Sequence, residues 1–388
     1  MPSKFFNRKN ILYFLFLFLF ILVCLEIFGK IYLTKILEKS PNPKFRFNSY
    51  RIYEHIPNFT EGKDGKDWIK INGQGFRRMT EVALKKPTNT FRVFFMGGSA
   101  AHGISSSPPY PLRHIYMNET IDYYLEKILK EKHPDKNIEV INAAVTGYVV
   151  NQHTAYIMEE LLNYNPDLFI FFDGINDHFI NNPAYDYFKN NRYQYWKFRL
   201  QNPSLKGLVD YAVLWFSKYS AFFKGLYAWK LNRDADKNIY TIALRIETKN
   251  DAELIDDYNI TSKKGYLRSV EINLGILKNF NIKTMVILQP ILALRNYGLL
   301  SKEEASFLRK DPDQRTMYPY VVSDLKNLTS KYEVAFVDMN PVFDYPLYKE
   351  KQLFIDHVHL TPLGGEVVAK TIFPQIDSLY SEHFPKMN

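Results

Sequence analysis

Serine, histidine and aspartate stand in two short stretches near opposite ends of the chain. Ser99 follows Gly97-Gly98 after the apolar run FRVFFM, and Asp356 stands three residues before His359 in the stretch DHVH. A neutral imidazole, held in one tautomer by a carboxylate, is the group that takes a proton from a serine hydroxyl. The spacing therefore predicts Ser99 as a nucleophile, His359 as its general base and Asp356 as the carboxylate that orients the imidazole.

Two further stretches carry candidate hydrogen-bond donors for a developing oxyanion. Gly147 stands in NAAVTGY and Asn176 in DGIND, each after an apolar run. A glycine lets a main-chain N–H approach a substrate closely, an asparagine offers a neutral N–H₂, and a serine on a tight turn also presents its own N–H. We predict an oxyanion hole from the N–H groups of Ser99 and Gly147 and the side chain of Asn176.

Each of these residues also has a purely structural interpretation. Ser99 could cap a turn, Gly147 could be a plain turn glycine and Asn176 could close an Asx turn. His357 competes with His359 for the role of base, but it adjoins Asp356, so their side chains are expected to diverge. His357 and His359 lack the further ligands that a metal site needs, and we expect no metal. Two other histidines near the site in sequence are expected to be bystanders that could touch substrate, His102 and His178.

The four stretches follow apolar runs that alternate with helical periods. We predict strands at 91–96, 138–142, 168–173, 284–289 and 334–338, and helices at 116–132, 151–163, 266–279, 320–328 and after His359, the last with Thr361 as N-cap and Pro362 at its first position. Such alternation is typical of a parallel sheet covered by helices on both faces. Functional groups in these folds lie beyond the carboxyl ends of the strands.

In order and placement the four stretches resemble the SGNH (GDSL-like) hydrolase superfamily, over about 91–182 and 266–373. Serine comes first, then glycine, then asparagine in G-x-N-D, then D-x-x-H near the C-terminus. The resemblance implies a flavodoxin-like three-layer α/β/α sandwich with a mainly parallel sheet, and it implies the roles predicted above. The stretch NGQGFR at 72–77 is similar to one in bacterial members with an N-terminal anchor. One departure is Gly98, where the GDSL pattern has aspartate.

The N-terminus carries a candidate membrane span. Residues 11–25 have no charged side chain, apolar character continues through Phe28, and no small-x-small cleavage site follows. We predict an uncleaved signal anchor at 11–33 after a short tail at 1–10, with a cleaved signal as the alternative. Basic residues on the two sides of this segment nearly balance. We expect a single-pass protein of the cell membrane with its body on the periplasmic or extracellular side, because the segment is the first in the chain and only a short tail precedes it.

The rest of the chain divides into four predicted parts. Residues 34–90 read as a linker and a hairpin-like extension rather than a core, because short alternating runs are broken by glycines. The hydrolase domain is predicted in two halves, 91–182 and 266–388. Between them lies an aromatic-rich helical insertion at 183–265, in which 205–231 has the period of one amphipathic helix. That helix could pack on the domain, form a lid or lean on the membrane.

The composition of the chain excludes several classes of function. The chain has 388 residues, a formal net charge of +9 and a single cysteine, Cys24, which lies in the apolar N-terminal stretch. The body therefore has no disulfide and no thiol nucleophile. Basic residues are scattered along the sequence, so we expect no nucleic-acid partner. The sequence has no glycine-rich phosphate loop with a lysine, so we expect no nucleotide substrate. We predict no cofactor.

These observations predict a serine esterase that acts through an acyl-enzyme on small acyl groups of glycans or lipids of the cell envelope. An O-acyltransferase to envelope saccharides is the first alternative, because the same acyl-enzyme could be intercepted by a sugar hydroxyl. A non-catalytic envelope-binding protein of the same fold is the second. The sequence leaves the acyl group, the acceptor and the oligomeric state open.

Overall fold

The computed structural model describes residues 8–37, 45–48, 50–63, 66–104, 113–180, 265–308 and 312–384, together with 212, 216, 219–223 and 225–226. The chain divides into two units. One contains Met1–Lys44 and Phe188–Thr248, and the other contains Phe45–Tyr187 and Lys249–Asn388. Much of the predicted insertion at 183–265 lies outside the described residues.

The larger unit is built on a five-stranded parallel sheet. Its strands are β5 (Thr90–Gly97), β6 (Asn137–Asn142), β7 (Leu168–Asp173), β8 (Lys283–Leu288) and β9 (Ala335–Asp338), and they lie in the order β6-β5-β7-β8-β9. All neighbouring pairs are parallel. This is the flavodoxin-like order, in which the first strand of the sheet lies second from one edge. The predicted α/β class, with its mainly parallel sheet, is confirmed.

Helices cover the sheet on both faces. They are α2 (Ser99–His102), α3 (Ile121–Lys132), α4 (Val150–Glu159), α5 (Ile175–Ile180), α6 (Arg268–Asn279), α7 (Lys302–Phe307), α8 (Pro312–Tyr332), α9 (Asn340–Phe343) and α10 (Pro362–His383). The alternation of side chains along β5 separates two cores. Phe95 packs in a cluster with α3 and α10, whereas Phe94 packs in a cluster with α4. The three-layer arrangement follows from that alternation.

Two hairpins precede the sheet. β1 (Phe45–Asn48) pairs with β2 (Ile52–His55), and β3 (Thr60–Lys63) pairs with β4 (Lys66–Lys70). The prediction that this region lies outside the core was wrong in part, because Phe76 is fully buried against Phe94 and Arg77 is 1% exposed. The Asn72 side chain accepts hydrogen bonds from the N–H groups of Gln74 and Phe76, which folds this stretch back toward the sheet.

Several helix bounds differ from the predicted ones. α3 begins at Ile121 rather than at 116, because the Glu119 carboxylate accepts the N–H of Tyr116 and holds 116–120 as a turn. α8 runs well beyond the predicted 320–328 in both directions. The hydrophobic periodicity did not predict helix α7, although a capping box of Ser301 and Glu304 marks its start. The predicted cap of α10 is confirmed, since the Thr361 hydroxyl accepts the N–H of Gly364 at 3.1 Å.

The smaller unit contains helix α1 (Arg8–Leu37), which we name the anchor helix. Its segment Lys9–Tyr32 has a mean hydropathy of 2.9 and is long and apolar enough to cross a membrane. Helix and span agree with the predicted anchor at 11–33 in length and composition.

The prediction of one continuous helix over 205–231 was wrong. Among the described residues of this stretch, Tyr219 and Ser220 form a turn, and helical backbone resumes at Ala221. The N–H groups of Tyr219 and Ser220 both donate to the carbonyl oxygen of Phe216, at 3.0 Å each. The Glu26 carboxylate in turn accepts the N–H of Ala221, so the new helix starts on a side-chain acceptor instead of continuing the previous turn.

Candidate active site

Ser99 stands on a sharp turn at the carboxyl end of β5, the strand second from one edge of the sheet. β5 ends at Gly97, whose φ of +154° falls in a region that residues with a Cβ rarely adopt. A Cβ on Gly97 would also lie 2.4 Å from the carbonyl oxygen of Phe172 on the neighbouring strand. The turn therefore requires glycine, and it places Ser99, 9% exposed, at the first position of α2.

The structure brings Ser99 together with His359 and Asp356. The Nε2 atom of His359 lies 2.7 Å from the Oγ atom of Ser99, and its Nδ1 atom lies 2.6 Å from the Oδ2 atom of Asp356. Serine hydroxyl, imidazole and carboxylate thus form one hydrogen-bonded chain. The residues at its ends come from strands and loops that are far apart in sequence, and the parallel sheet gathers them at one edge.

Asp356 is fixed by its own loop. Its Oδ1 atom accepts the N–H groups of Val358 and His359, at 2.8 Å each. A bridge between Phe354 and Leu360 closes this loop at its base. One carboxylate oxygen therefore holds the backbone, and the other is left for the imidazole.

Burial and hydrogen bonding act in opposite directions on Asp356. Burial, the largest influence, would raise the pKa of this carboxyl, but hydrogen bonds from the His359 ring and from two backbone N–H groups, with the charge of His359, lower the pKa to about 2. Asp356 is therefore ionised at neutral pH. An anionic Asp356 favours the tautomer of His359 that carries its proton on Nδ1 and exposes a lone pair on Nε2 to the serine.

The neighbouring His357 points elsewhere. Its Nδ1 atom lies 4.0 Å from the Oδ1 atom of Asp356, beyond hydrogen-bonding distance. Its carbonyl oxygen accepts the N–H of Leu292 at 3.1 Å. The geometry thus distinguishes the two histidines of DHVH.

Asn176 lies directly against the serine turn. Its Nδ2 atom donates to the carbonyl oxygen of Tyr148 at 2.8 Å. A Cβ built on Gly98 would lie 2.2 Å from the same nitrogen atom. One N–H of the amide is thereby anchored on the loop after β6, and the amide nitrogen sits beside the backbone that leads into Ser99.

Gly147 lies in the loop that holds Asn176. Its φ of +81° is in the left-handed region, which favours glycine. The Tyr53 hydroxyl donates to the carbonyl oxygen of Thr146 at 2.9 Å, and a Cβ on Gly147 would lie 2.9 Å from that hydroxyl. The Tyr148 hydroxyl donates to the carbonyl oxygen of Tyr53. Strand β2 and the Gly147 loop are therefore tied to each other in both directions.

Two buried carboxyl groups, those of Asp173 and Asp177, flank Asn176 in sequence. The Nε2 atom of His153 lies 3.0 Å from the Oδ1 atom of Asp173, and both residues are buried. Asp177 accepts the N–H of Val150 at 3.1 Å. Burial, and then the charge of Asp173, raise the pKa of Asp177 well above its usual range. Both influences disfavour the ionised form of Asp177 relative to that of a free carboxyl.

Arg77 supports the C-terminal end of α2. Its guanidinium donates to the carbonyl oxygens of Gly103 at 2.8 Å and Ile115 at 3.1 Å, and also to those of His102 and Trp68. Burial lowers the pKa of Arg77 to about 10, and the charge of Asp122 partly offsets that effect. Arg77 remains protonated at neutral pH and fixes the end of the short helix that begins at Ser99.

Two other histidines, His102 and His178, lie near the site in sequence. His102 is 2% exposed, and its ring centroid lies 4.9 Å from that of His55. His178 belongs to α5, and its side chain lies outside the described residues. Across the part of the chain that the structure describes, no cluster of three or more His, Cys, Asp or Glu side chains could hold a metal ion.

Sequence reasoning missed three residues that shape this site. Tyr53 and Tyr148 exchange hydrogen bonds between β2 and the Gly147 loop, and Arg77 holds α2. The arginine of the stretch NGQGFR is the signal in the sequence for the support of α2. No local signal marked either tyrosine, because each acts on a segment more than ninety positions away.

Comparisons with known proteins found similarity only to distantly related solved structures. No family model and no curated protein matches the chain. Among solved structures, an acetyl xylan esterase, AlAXEase, is similar at 15% identity, with a TM-score of 0.41 and coverage of 74% of this chain and 100% of that one. An acetylxylan esterase from Geobacillus stearothermophilus is similar at 14% identity, with a TM-score of 0.41 and coverage of 76% and 96%. Likeness this distant bears on neither activity nor substrate.

Proposed function

We propose that this chain is a serine ester hydrolase of the SGNH type that works through an acyl-enzyme. The hydrogen-bonded chain Asp356–His359–Ser99, with distances of 2.6 and 2.7 Å, is the observation that carries the proposal. A serine, a base within hydrogen-bonding reach and a third group that orients the base are the parts that nucleophilic acyl transfer needs.

In the proposed reaction the Ser99 oxygen attacks the ester carbonyl while Nε2 of His359 takes the serine proton. The carbonyl oxygen becomes an oxyanion, and His359 then gives its proton to the departing alcohol, which leaves an acyl group on Ser99. Water, deprotonated by His359, attacks this ester, and the proton returns to Ser99 as the acid departs. Asp356 stays ionised and stabilises the imidazolium throughout.

We assign the oxyanion to the N–H groups of Ser99 and Gly147 and to the side chain of Asn176. The first turn of a helix has no intrahelical acceptors for its N–H groups, which suits the N–H of Ser99 to this role. The left-handed backbone of Gly147 and the position of Asn176 beside Gly98 support the other two. Removing one such donor typically raises the barrier by about 2.7–4 kcal/mol.

For the substrate we propose small acyl groups on glycans or lipids of the cell envelope. The low exposure of Ser99 and the contact between Asn176 and the serine turn favour a short acyl chain over a long one. The anchor helix, with an apolar segment of 24 residues, supports a location at the cell membrane. The proposal places the larger unit on the periplasmic or extracellular side, where acylated envelope polymers are found.

The proposal is tested with the full-length protein in detergent. A fluorophosphonate should label Ser99, and p-nitrophenyl acetate should be hydrolysed faster than esters of longer acids. Ser99→Ala should abolish labelling and lower turnover by about 10⁴–10⁶-fold, whereas Ser306→Ala, an exposed serine on α7, should change neither. Undiminished turnover in Ser99→Ala would refute the proposal.

The same preparation separates hydrolysis from the two alternatives. With an acetyl donor and envelope oligosaccharides present, hydrolysis releases free acetate, whereas an O-acyltransferase forms an acetylated oligosaccharide. A non-catalytic binding protein would neither react with the fluorophosphonate nor release acetate. The 2.7 Å contact between His359 and Ser99 supports a catalytic site over a binding site alone.

A further inference from the structure

Glu26 is an acidic residue inside the apolar segment of the anchor helix. The segment Lys9–Tyr32 spans 24 residues, which is about 36 Å of helix against a hydrocarbon core of about 30 Å. If the segment is centred in the bilayer, Glu26 lies about 8 Å from the midplane and about 7 Å inside the hydrocarbon boundary. A carboxylate at such a depth is expensive unless protein groups satisfy it.

Both oxygen atoms of Glu26 are satisfied by one short segment of the same unit. Oε1 accepts the N–H of Ala221 at 2.7 Å. Oε2 accepts the Ser220 hydroxyl at 2.6 Å and the N–H of Phe222 at 3.3 Å. The segment that contacts Glu26 therefore lies at the same depth along the anchor helix as Glu26 itself.

A second contact lies one helical turn further along the same face. Gly29 is three residues after Glu26, and a Cβ built on it would lie 2.4 Å from both the N and the Cα atoms of Phe222. Residues three apart share a helix face, and small residues let two backbones approach closely within a membrane. The carboxylate and the glycine thus form one docking face on the anchor helix.

The docked turn has the property that hydrocarbon demands of a backbone. The N–H groups of Tyr219 and Ser220 donate to Phe216, those of Ala221 and Phe222 donate to Glu26, and that of Phe223 donates to the Ser220 hydroxyl at 3.4 Å. Five consecutive N–H groups are therefore satisfied inside the protein. Non-helical backbone at membrane depth is tolerated only where its polar groups have such partners.

The side chains around this turn are apolar and outward. Phe216, Tyr219 and Leu226 are 44%, 73% and 37% exposed. The rings of Phe216 and Phe223 stack with centroids 5.1 Å apart. Aromatic and leucine side chains of this kind match the hydrocarbon and interfacial zone of a lipid leaflet, where the polar hydroxyl of a tyrosine can still reach the headgroups.

We propose that the turn at Tyr219 and Ser220 and the helical residues described after it, 221–223 and 225–226, are embedded in the bilayer beside the anchor helix, in the leaflet at its C-terminal end. The partner of this apolar surface is the acyl-chain region of that leaflet, and Glu26 with Gly29 hold the segment there. The chain then contacts the membrane through two elements instead of one. This inference is independent of ester hydrolysis.

The test places a fluorescent probe on the segment in the full-length protein. In a Cys24→Ser background, Tyr219→Cys and Leu226→Cys are labelled with a nitrobenzoxadiazole maleimide and reconstituted into phosphatidylcholine vesicles. Nitroxides on the acyl chains should quench both probes, and aqueous iodide should not. Tyr297→Cys, an exposed site in the larger unit, serves as the water-facing control. Iodide quenching at 219 and 226 equal to that at 297 would overturn the proposal.

Variants of the docking face then test the tether. Glu26→Ala and Gly29→Leu, each in the Leu226→Cys protein, should increase iodide quenching at least several-fold, whereas Ile27→Ala, on an exposed face of the anchor helix, should leave it unchanged. Resistance to carbonate extraction shows that each variant is still inserted. A probe at 226 that stays shielded in both docking variants would contradict the assignment of Glu26 and Gly29.

Discussion

The side-chain nitrogen of Asn176 occupies the space that a Cβ on Gly98 would need, with only 2.2 Å between the two positions. A GDSL motif has aspartate at the position of Gly98. In this chain an aspartate there would collide with the amide that we assign to the oxyanion. The absence of a Cβ at Gly98 thus leaves the space that the side-chain amide of Asn176 occupies.

From this relationship we expect Gly98→Asp, which introduces the aspartate of the GDSL pattern, to lower activity instead of raising it. Displacement of the Asn176 donor should reduce kcat for p-nitrophenyl acetate by about 10²–10³-fold. Gly275→Ala is the matched control, because a Cβ at that position on α6 meets nothing closer than 3.8 Å. Full activity in Gly98→Asp would argue against Asn176 as a donor.

Asp356→Asn should keep the loop but place the wrong tautomer opposite Ser99. An asparagine that donates to Nδ1 leaves Nε2 protonated and unable to accept the serine proton, so kcat should fall by about 10⁴-fold. The exposed Asp135→Asn is the control. A loss of less than tenfold in Asp356→Asn would show that the carboxylate does not orient the base.

The stability contribution of Asp356 should depend on pH in a defined direction. Its pKa of about 2 in the folded chain is below the usual value of 3.8, so the contribution is present above about pH 4 and is lost as the pH falls through about 2. The difference is on the order of 2 kcal/mol. Urea unfolding of the wild type and Asp356→Asn from pH 7 to pH 2 should give curves that converge in acid. Parallel curves would contradict this account.

Arg77→Met should destabilise the serine turn without changing the core volume greatly. Methionine removes the donors that Arg77 offers to four carbonyl oxygens, and buried acceptors without partners cost about 1–3 kcal/mol each. We expect the free energy of unfolding to fall by at least about 3 kcal/mol, measured by urea titration. Arg46→Met, which loses an ion pair on a side chain 56% exposed, should cost less than about 1 kcal/mol. Equal losses in the two variants would contradict the role of Arg77.

Asp177→Asn should stabilise the protein at neutral pH. The pKa of Asp177 is raised in the folded chain, so an unfolded carboxyl that ionises near its usual value of 3.8 favours unfolding increasingly as the pH rises above that value. Asparagine removes this penalty and still accepts the N–H of Val150. The melting temperature of Asp177→Asn should exceed that of the wild type at pH 7 and equal it near pH 4. Asp177→Ala, which loses the acceptor, should melt below the wild type at both pH values.

The parts of the fold that were predictable depend on local pattern. The five strands of the sheet and the Thr361 cap were visible because apolar runs, turn residues and capping side chains act within a few positions. The break at Ser220 was not visible, because it depends on Glu26, almost two hundred positions earlier. Burial of Arg77 likewise depends on carbonyl oxygens from separate loops.

The candidate site was predictable to the same extent. The order of the four stretches and the carboxyl-end rule indicated that Ser99, Asn176 and His359 would approach one another. The contacts of Asn176 with Tyr148 and Gly98 could not be predicted from one sequence, because a hydrogen bond between two loops depends on the register of the strands that carry them. The chemical roles of these residues stay predictions for the assays above.

The hydroxyl–imidazole contact joins positions 260 apart, and it has a consequence for biosynthesis. A growing chain already carries its membrane helix and Ser99 long before the ribosome reaches the codon for His359. Under the proposed mechanism the serine lacks its proton acceptor during all of that time, so an immature or truncated polypeptide is expected to be inert toward esters. The proposed reactivity therefore requires that the loop of His359 has closed over a finished sheet.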